Sequence, residues 1–137
     1  MVYIAIVHGK GELVRIFKTK AVARFTRSEG ISDDSLANAV ERAGRGLIDA
    51  DPGGGLIKQR VARTGQGRSG GYRMLIGVRV KERAEFVFGF AKNDLDNIGD
   101  RQLASLQDFA ATWLAADDEK LKRAIAGKLL VEVNNGG

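Results

Sequence analysis

Nine residues, Tyr72 to Val80, read YRMLIGVRV. Tyr72, Met74, Ile76, Val78 and Val80 fall on one side of an extended chain, and Arg73, Leu75, Gly77 and Arg79 on the other. Period-two alternation of this kind marks a strand. AEFVFGFAK follows it, with Phe86, Phe88 and Phe90 expected on one face, and LIKQRVA precedes it after the turn segment DADPGGG. Three strands in succession with short connections make an antiparallel meander. Upstream, LVRIFKT reads as a further strand, with VYIAIV as its expected hairpin partner.

The helices announce themselves by caps. In SDDSLANAVERAG, Ser32 is the cap, Asp33 and Asp34 sit in the first turn where the helix dipole favours anions, and Leu36, Ala39, Val40 and Ala43 keep helical spacing up to Gly44 or Gly46. Before it, TKAVARFTRSEG is a helix capped by Thr19, with Val22 and Phe25 inward and Gly30 closing it. A short link makes the two an antiparallel helical hairpin. RQLASLQDFAATWLA is an amphipathic helix carrying Leu103, Leu106, Phe109 or Ala110, and Trp113, and DDEKLKRAIAGK is a shorter one. LLVEV is a closing strand, and NNGG is expected to fray. At 137 residues this is one domain of α+β class: a helical hairpin on a twisted antiparallel sheet, with extra C-terminal helices.

Charge is unevenly placed. Residues 1–55 carry 8 basic and 7 acidic groups, residues 56–92 carry 9 and 2, and residues 93–137 carry 5 and 8. The stretch LIKQRVARTGQGRSGGYR, residues 56–73, holds five Lys or Arg and four Gly among eighteen residues, with no acid. A basic centre between near-neutral and acidic ends points to a face that binds a polyanion. Lys58 and Arg60, two apart on a strand, point from the same face. Arg73 opens the next strand, Lys92 follows the Phe-rich one, and Arg63 and Arg68 lie in or beside the glycine loop. Such an array suits nucleic acid, since Arg grips phosphate oxygens bidentately and glycine lets backbone N–H groups approach them.

Other chemistry is narrow. The chain has no Cys and one His, which excludes a disulfide framework, thiolate zinc sites and a histidine pair for RNA cleavage. Asp94, Asp96 and Asp100 read as helix caps rather than metal ligands, and no Walker loop is present. What remains is cation chemistry on RNA, which carries its own nucleophile in the 2′-OH. Arg stabilises charge developing on a phosphorane, and a desolvated Lys crowded by cations becomes a proton-transfer group. His8, in a turn, is not expected to take part. No apolar run approaches the roughly 18 residues of a membrane span, and the N-terminus lacks the features of a secretory signal, so a cytoplasmic protein without membrane contact is expected.

The stretches GGGLIKQRVARTGQGRSGGYR, RIFKTK and FVFGFAKND resemble the RelE/ParE superfamily of toxins from toxin–antitoxin modules, nearest its RelE/HigB-like branch. The resemblance covers about residues 14–98 as a core and extends over about 100–133, so residues 1–137 are expected to form a single RelE-like domain; residues 1–12 have no counterpart. It implies a ribosome-dependent mRNA endoribonuclease working in the A site of the small ribosomal subunit. The 2′-OH attacks the adjacent phosphate, no metal or other cofactor takes part, and a cognate antitoxin silences the enzyme. Lys58 and Arg60 match the family's basic pair, Arg73 the arginine after Gly-Tyr, and Lys92 a basic position after the last main strand; these are the implied catalytic residues. Arg63, Arg68, Tyr72, Arg79, Phe90 and Asn93 are the implied RNA-binding set. Asn93 stands where RelE has a second basic residue. No tyrosine follows it, so Tyr72 or Phe90 is left to stack on a base. Two other readings stay open: a ParE-like inhibitor of DNA gyrase without nuclease chemistry, and a plain basic RNA-binding module.

Overall fold

The computed structural model describes residues 14–62, 71–79, 82–91 and 98–133. The chain runs β1 (Arg15–Thr19), α1 (Lys20–Glu29), α2 (Asp33–Gly44), β2 (Ala50–Gly53), β3 (Leu56–Val61), β4 (Tyr72–Arg79), β5 (Arg83–Ala91), α3 (Asp100–Leu114), α4 (Asp118–Ala126) and β6 (Leu130–Glu132). One sheet holds all six strands in the order β2-β3-β4-β5-β1-β6. It is an α+β fold with helices on both faces of the sheet.

The helix starts follow their caps. The Thr19 hydroxyl accepts from Val22 N at 3.1 Å, Ser32 from Ser35 N at 3.2 Å and Asp117 from Lys120 N at 2.8 Å. Gly30 ends α1 at φ 71°, a left-handed position that glycine adopts without strain. α1 lies on β1 and β5, and α2 lies on β3. Val22, Leu36, Ala39, Val40 and Ala43 from these helices bury against Ile57, Val61, Met74, Ile76 and Phe86 of the sheet. On the opposite face α3 covers Leu56, Leu75, Val87 and Phe90 with Leu103, Leu106 and Ala110. Of the two α3 positions left open by periodicity, Ala110 faces the sheet and Phe109 is exposed. α4 completes that layer through Leu121 and Ala124 against Phe17 and Leu130.

Four expectations change in detail. The meander β3-β4-β5 is antiparallel, but β1 enters the sheet parallel to β5. β1 is flanked by β5 and β6, so the neighbour position expected for VYIAIV is filled by β6; residues 2–7 themselves lie outside the described residues. The segment read as a turn, DADPGGG, gives the short strand β2 before its glycines turn at φ 94°, 66° and 83°. Phe86, Phe88 and Phe90 do not share a face. The register steps from Leu75↔Phe88 to Ile76↔Phe86, so Val87 is an extra, bulged residue. Phe86 joins the core under α1 and α2, while Phe88 and Phe90 turn towards α3. Among the described residues no helix is long and apolar enough to cross a membrane.

Candidate functional site

Strand pleat alone brings three of the expected cations together. On β3, Ile57, Gln59 and Val61 point to the α1/α2 face, which leaves Lys58 and Arg60 beside Leu56 on the α3 face. On β4 the same face carries Arg73, Leu75 and Gly77. The register sets Lys58 against Leu75, Arg60 against Arg73, and Arg73 against Phe90 of β5. α3 covers the Leu75 row and leaves Arg60 exposed and Lys58 and Arg73 half-buried.

The backbone of Arg60 is clamped from outside the β3–β4 ladder. Its N–H donates to Asp49 Oδ2 at 2.6 Å, and its carbonyl accepts from Arg42 Nη2. Both groups therefore point away from β4, so Arg60 and Arg73 form a non-hydrogen-bonded pair. Val78 N donating to Gly55 O at 3.0 Å fits the same alternation. In such pairs Cα atoms come within about 4.5 Å and side chains stand closest. Two guanidinium groups so placed repel each other. Arg60 has a counter-charge, with Nε 3.9 Å from Asp49 Oδ1. Arg73 Nη1 is buried with no hydrogen-bond partner among the described residues. A buried donor left unmade costs about 1–3 kcal/mol, so this pair is arranged at a cost to the fold.

The supporting residues were not singled out from the sequence. Gln59 is fully buried: Nε2 donates to Ala39 O at 2.9 Å and Leu47 O at 3.1 Å, and Oε1 accepts from Asp49 N at 2.8 Å. It fixes Asp49, which fixes Arg60. Arg42, also buried, donates from Nε to Asn38 Oδ1 at 2.9 Å. A signal existed for both. Gln59 sits between Ile57 and Val61 on the inward side of a strand, and Arg42 sits within the apolar stripe of α2. A polar side chain at an inward position has to find partners.

The other expected residues scatter. Tyr72 is half-buried against the core, and its hydroxyl donates to Glu29 Oε1 at 2.6 Å. Phe90 is buried under α3, next to Arg73, so its ring is core rather than an open stacking face. Arg79 lies at the opposite end of β4 from Arg73, donating to Leu114 O at 2.9 Å with Nε 3.4 Å from Glu82. Lys92, Arg63, Arg68 and Asn93, with His8, Asp94 and Asp96, fall outside the described residues. Asp100 is the first residue of α3, and Gly99 holds the cap position.

A second ionisable cluster lies around Arg79. Arg83, buried, donates from Nη1 to Trp113 O and Ala116 O at 2.8 Å and to Leu114 O at 3.3 Å, closing the C-terminus of α3. Burial, then the nearby Arg79 charge, lowers its pKa. Glu85 is buried on the same face, with neither carboxylate oxygen hydrogen-bonded among the described residues. Desolvation pushes its pKa up to about 8, against a smaller opposing pull from Arg83.

A paired-arginine floor over an α+β sheet is the arrangement that the basic stretch promised. Comparison with curated proteins gives no significant match. The family described as "RelE toxin of RelE / RelB toxin-antitoxin system" matches residues 14–133, which takes in the sheet, both helical layers and the cation row. Members of that family are toxins with a cognate antitoxin, and generally inhibit translation as endoribonucleases. The match spans most of the chain, and the protein belongs to the RelE toxin family.

Proposed function

We propose that this toxin cuts translated mRNA in the A site of the small ribosomal subunit, in the cytoplasm, without a metal ion, and that residues 14–133 act as one domain. The observation that carries the reading is the Arg60–Arg73 pair, with Arg73 Nη1 buried and unpartnered among the described residues. Like charges held at close range favour an anion between them, and a phosphate diester supplies one. A protein that only occupied a surface of gyrase has no need of this arrangement.

In the proposed reaction the RNA 2′-oxygen attacks the adjacent phosphorus as its proton leaves. The P–O5′ bond breaks, a proton joins the 5′-oxygen, and the products are a 2′,3′-cyclic phosphate and a 5′-OH. Arg73 and Arg60 hold the non-bridging oxygens as charge builds on them. Lys58, on the same face two residues from Arg60, or Lys92 moves the proton. Arg63, Arg68 and Asn93 add contacts to the RNA backbone on this reading. The cognate antitoxin silences the toxin by covering the cationic face.

The test maps mRNA 5′ ends in cells after brief induction of the wild type and of Arg73→Ala. Codon-phased cuts within reading frames that vanish in the variant support the proposal. Intact mRNA accompanied by DNA damage would replace it with gyrase inhibition.

A further inference from the structure

α3 carries more apolar side chains than the sheet takes up. Leu103, Leu106 and Ala110 pack on the strands. Phe109 and Trp113, one turn apart on its flank, meet edge to face with ring centroids 6.5 Å apart. With Phe88, Leu106 and Leu129 they line a hollow of about 540 Å3 between α3 and the start of α1. Phe109 is 42% exposed and Leu129 55%, two of the four large apolar side chains exposed among the described residues. Single apolar side chains on a surface are ordinary, but a contiguous patch around a hollow marks a docking site.

The rim is cationic. Lys20 lines the hollow, and its backbone N–H donates to Leu129 O at 3.1 Å. Lys128, exposed, precedes Leu129, and Lys120 Nζ stands 5.3 Å from the centroid of the Trp113 ring. Among the described residues none of these three lysines has a carboxylate partner. Arg15, Lys18, Arg79 and Arg123 each have one, at 2.9, 2.8, 3.4 and 3.9 Å. The acids nearest Lys120 in the chain are engaged: Asp117 caps α4 and Glu119 reaches Arg123.

We infer that this hollow seats a helix of the cognate antitoxin, apolar along one face and acidic along the margins of that face. The inference rests on the reading that the antitoxin silences this toxin, and it adds where the antitoxin is anchored. Ser105, Phe109 and Trp113 follow one another at one-turn intervals on the α3 wall, about 12 Å from first to last. Such a wall takes the ridge of a second helix. The three lysines without carboxylate partners set the charge of that helix's margins. An apolar floor with one charged side chain is a poor seat for RNA, whose phosphates need several cations. Lys58, Arg60 and Arg73 stand on β3 and β4, whereas the hollow opens beside β5 and α1. The anchor therefore lies across α3 from the cation row, and the rest of the antitoxin is left to cover that row.

The probe is the small protein encoded beside this toxin, and its affinity for the full chain is read by calorimetry. Phe109→Ser and Leu129→Ser, both at exposed positions, should each weaken binding about tenfold or more, the worth of burying one large apolar side chain. Lys20→Glu should weaken it too, more at low salt than at high salt. All three variants should keep the wild-type melting curve and cut mRNA as the wild type does. Full affinity in both apolar variants overturns the proposal, as does the absence of any complex. An affinity lowered by Arg60→Ala or Arg73→Ala and by no change in the hollow overturns it as well. If Phe109→Ser loses RNA affinity, or dissolves a wild-type dimer, the hollow belongs to RNA or to a second copy instead. The parent reading fails separately. A wild type that cuts mRNA while the apolar variants hold the antitoxin fully sinks the anchor alone, whereas one that binds through the hollow and cuts nothing sinks the endonuclease and leaves the anchor standing.

Discussion

Arginine occupies both ends of β4 on the same face of the sheet, Arg73 at one and Arg79 at the other. Six residues of strand, about 20 Å, separate them. At the Arg79 end the guanidinium groups serve the fold. Arg79 and Arg83 close the carbonyls of the α3 C-terminus, and Arg15 forms a two-bond pair with Glu132 at 2.9 and 3.0 Å. At the Arg73 end the fold uses backbone clamps, Asp49 and Arg42, to hold the strand and leaves a guanidinium nitrogen unmatched among the described residues. The residue type is the same at both ends. What differs is whether helix carbonyls are within reach, and among the described residues α3 supplies them at the Arg79 end only.

The largest effect should separate the ends by what is lost. Arg73→Ala should lower mRNA cleavage by about a hundredfold or more, near 3 kcal/mol of barrier, with thermal stability unchanged or slightly raised. A stable Arg73→Ala protein with full toxicity would erase the contrast. Arg83→Ala should do the reverse. Three charge-assisted bonds to a helix terminus go, and chemical denaturation should read a loss of about 2–3 kcal/mol. If denaturation of the variant superimposes on the wild type, the closed end is not structural.

Glu85 sharpens the same end through pH. Its folded pKa, about 8, lies above its ordinary value of 4.5. The unfolded chain therefore releases this proton first. Stability is full below about pH 4.5, falls as pH rises from there to about 8, and then levels. Between pH 5 and 7 the loss should be roughly 2 kcal/mol, and Glu85→Gln should flatten it. A wild-type curve that rises over that range would place the carboxylate in a different environment. The smallest effect concerns salt. RNA affinity should fall with log salt at a slope near −2 if Lys58, Arg60 and Arg73 each meet a phosphate, since each contact adds about −0.7 on single strands. Lys58→Ala should shallow the slope by about 0.7. The same shift in Arg83→Ala would mean that both ends meet RNA.

Much of this was legible in the residues. Thr19, Ser32 and Gly30 mark helix ends because caps act locally, and the alternation in Tyr72–Arg79 places Arg73 opposite Met74 with no knowledge of the rest. The convergence of Lys58, Arg60 and Arg73 follows from the same pleat. Three things were hidden for physical reasons. The bulge at Val87 breaks the period-two rule at a position where Phe, Val and Phe are all good strand formers, so composition gives no warning. The parallel β1–β5 pair joins segments far apart in the chain, and neither one's pattern specifies its neighbour. The clamp on Arg60 is a tertiary accident of Gln59 meeting α2, readable only as a demand for partners and not as their identity.

β1 leaves the ribosome early, but both strands that flank it come late: its parallel neighbour spans Arg83–Phe86 and its antiparallel one Leu130–Glu132. Until those residues emerge, the alternating apolar edge of β1 has nothing to pair with. The meander β3-β4-β5, whose contacts are local, can form first, and β1 docks into it afterwards. Among the described strands, β1 is therefore placed last, between two strands that follow it in the chain. Synthesis order withholds the β1 edge of this sheet from its second neighbour until Leu130–Glu132 has emerged.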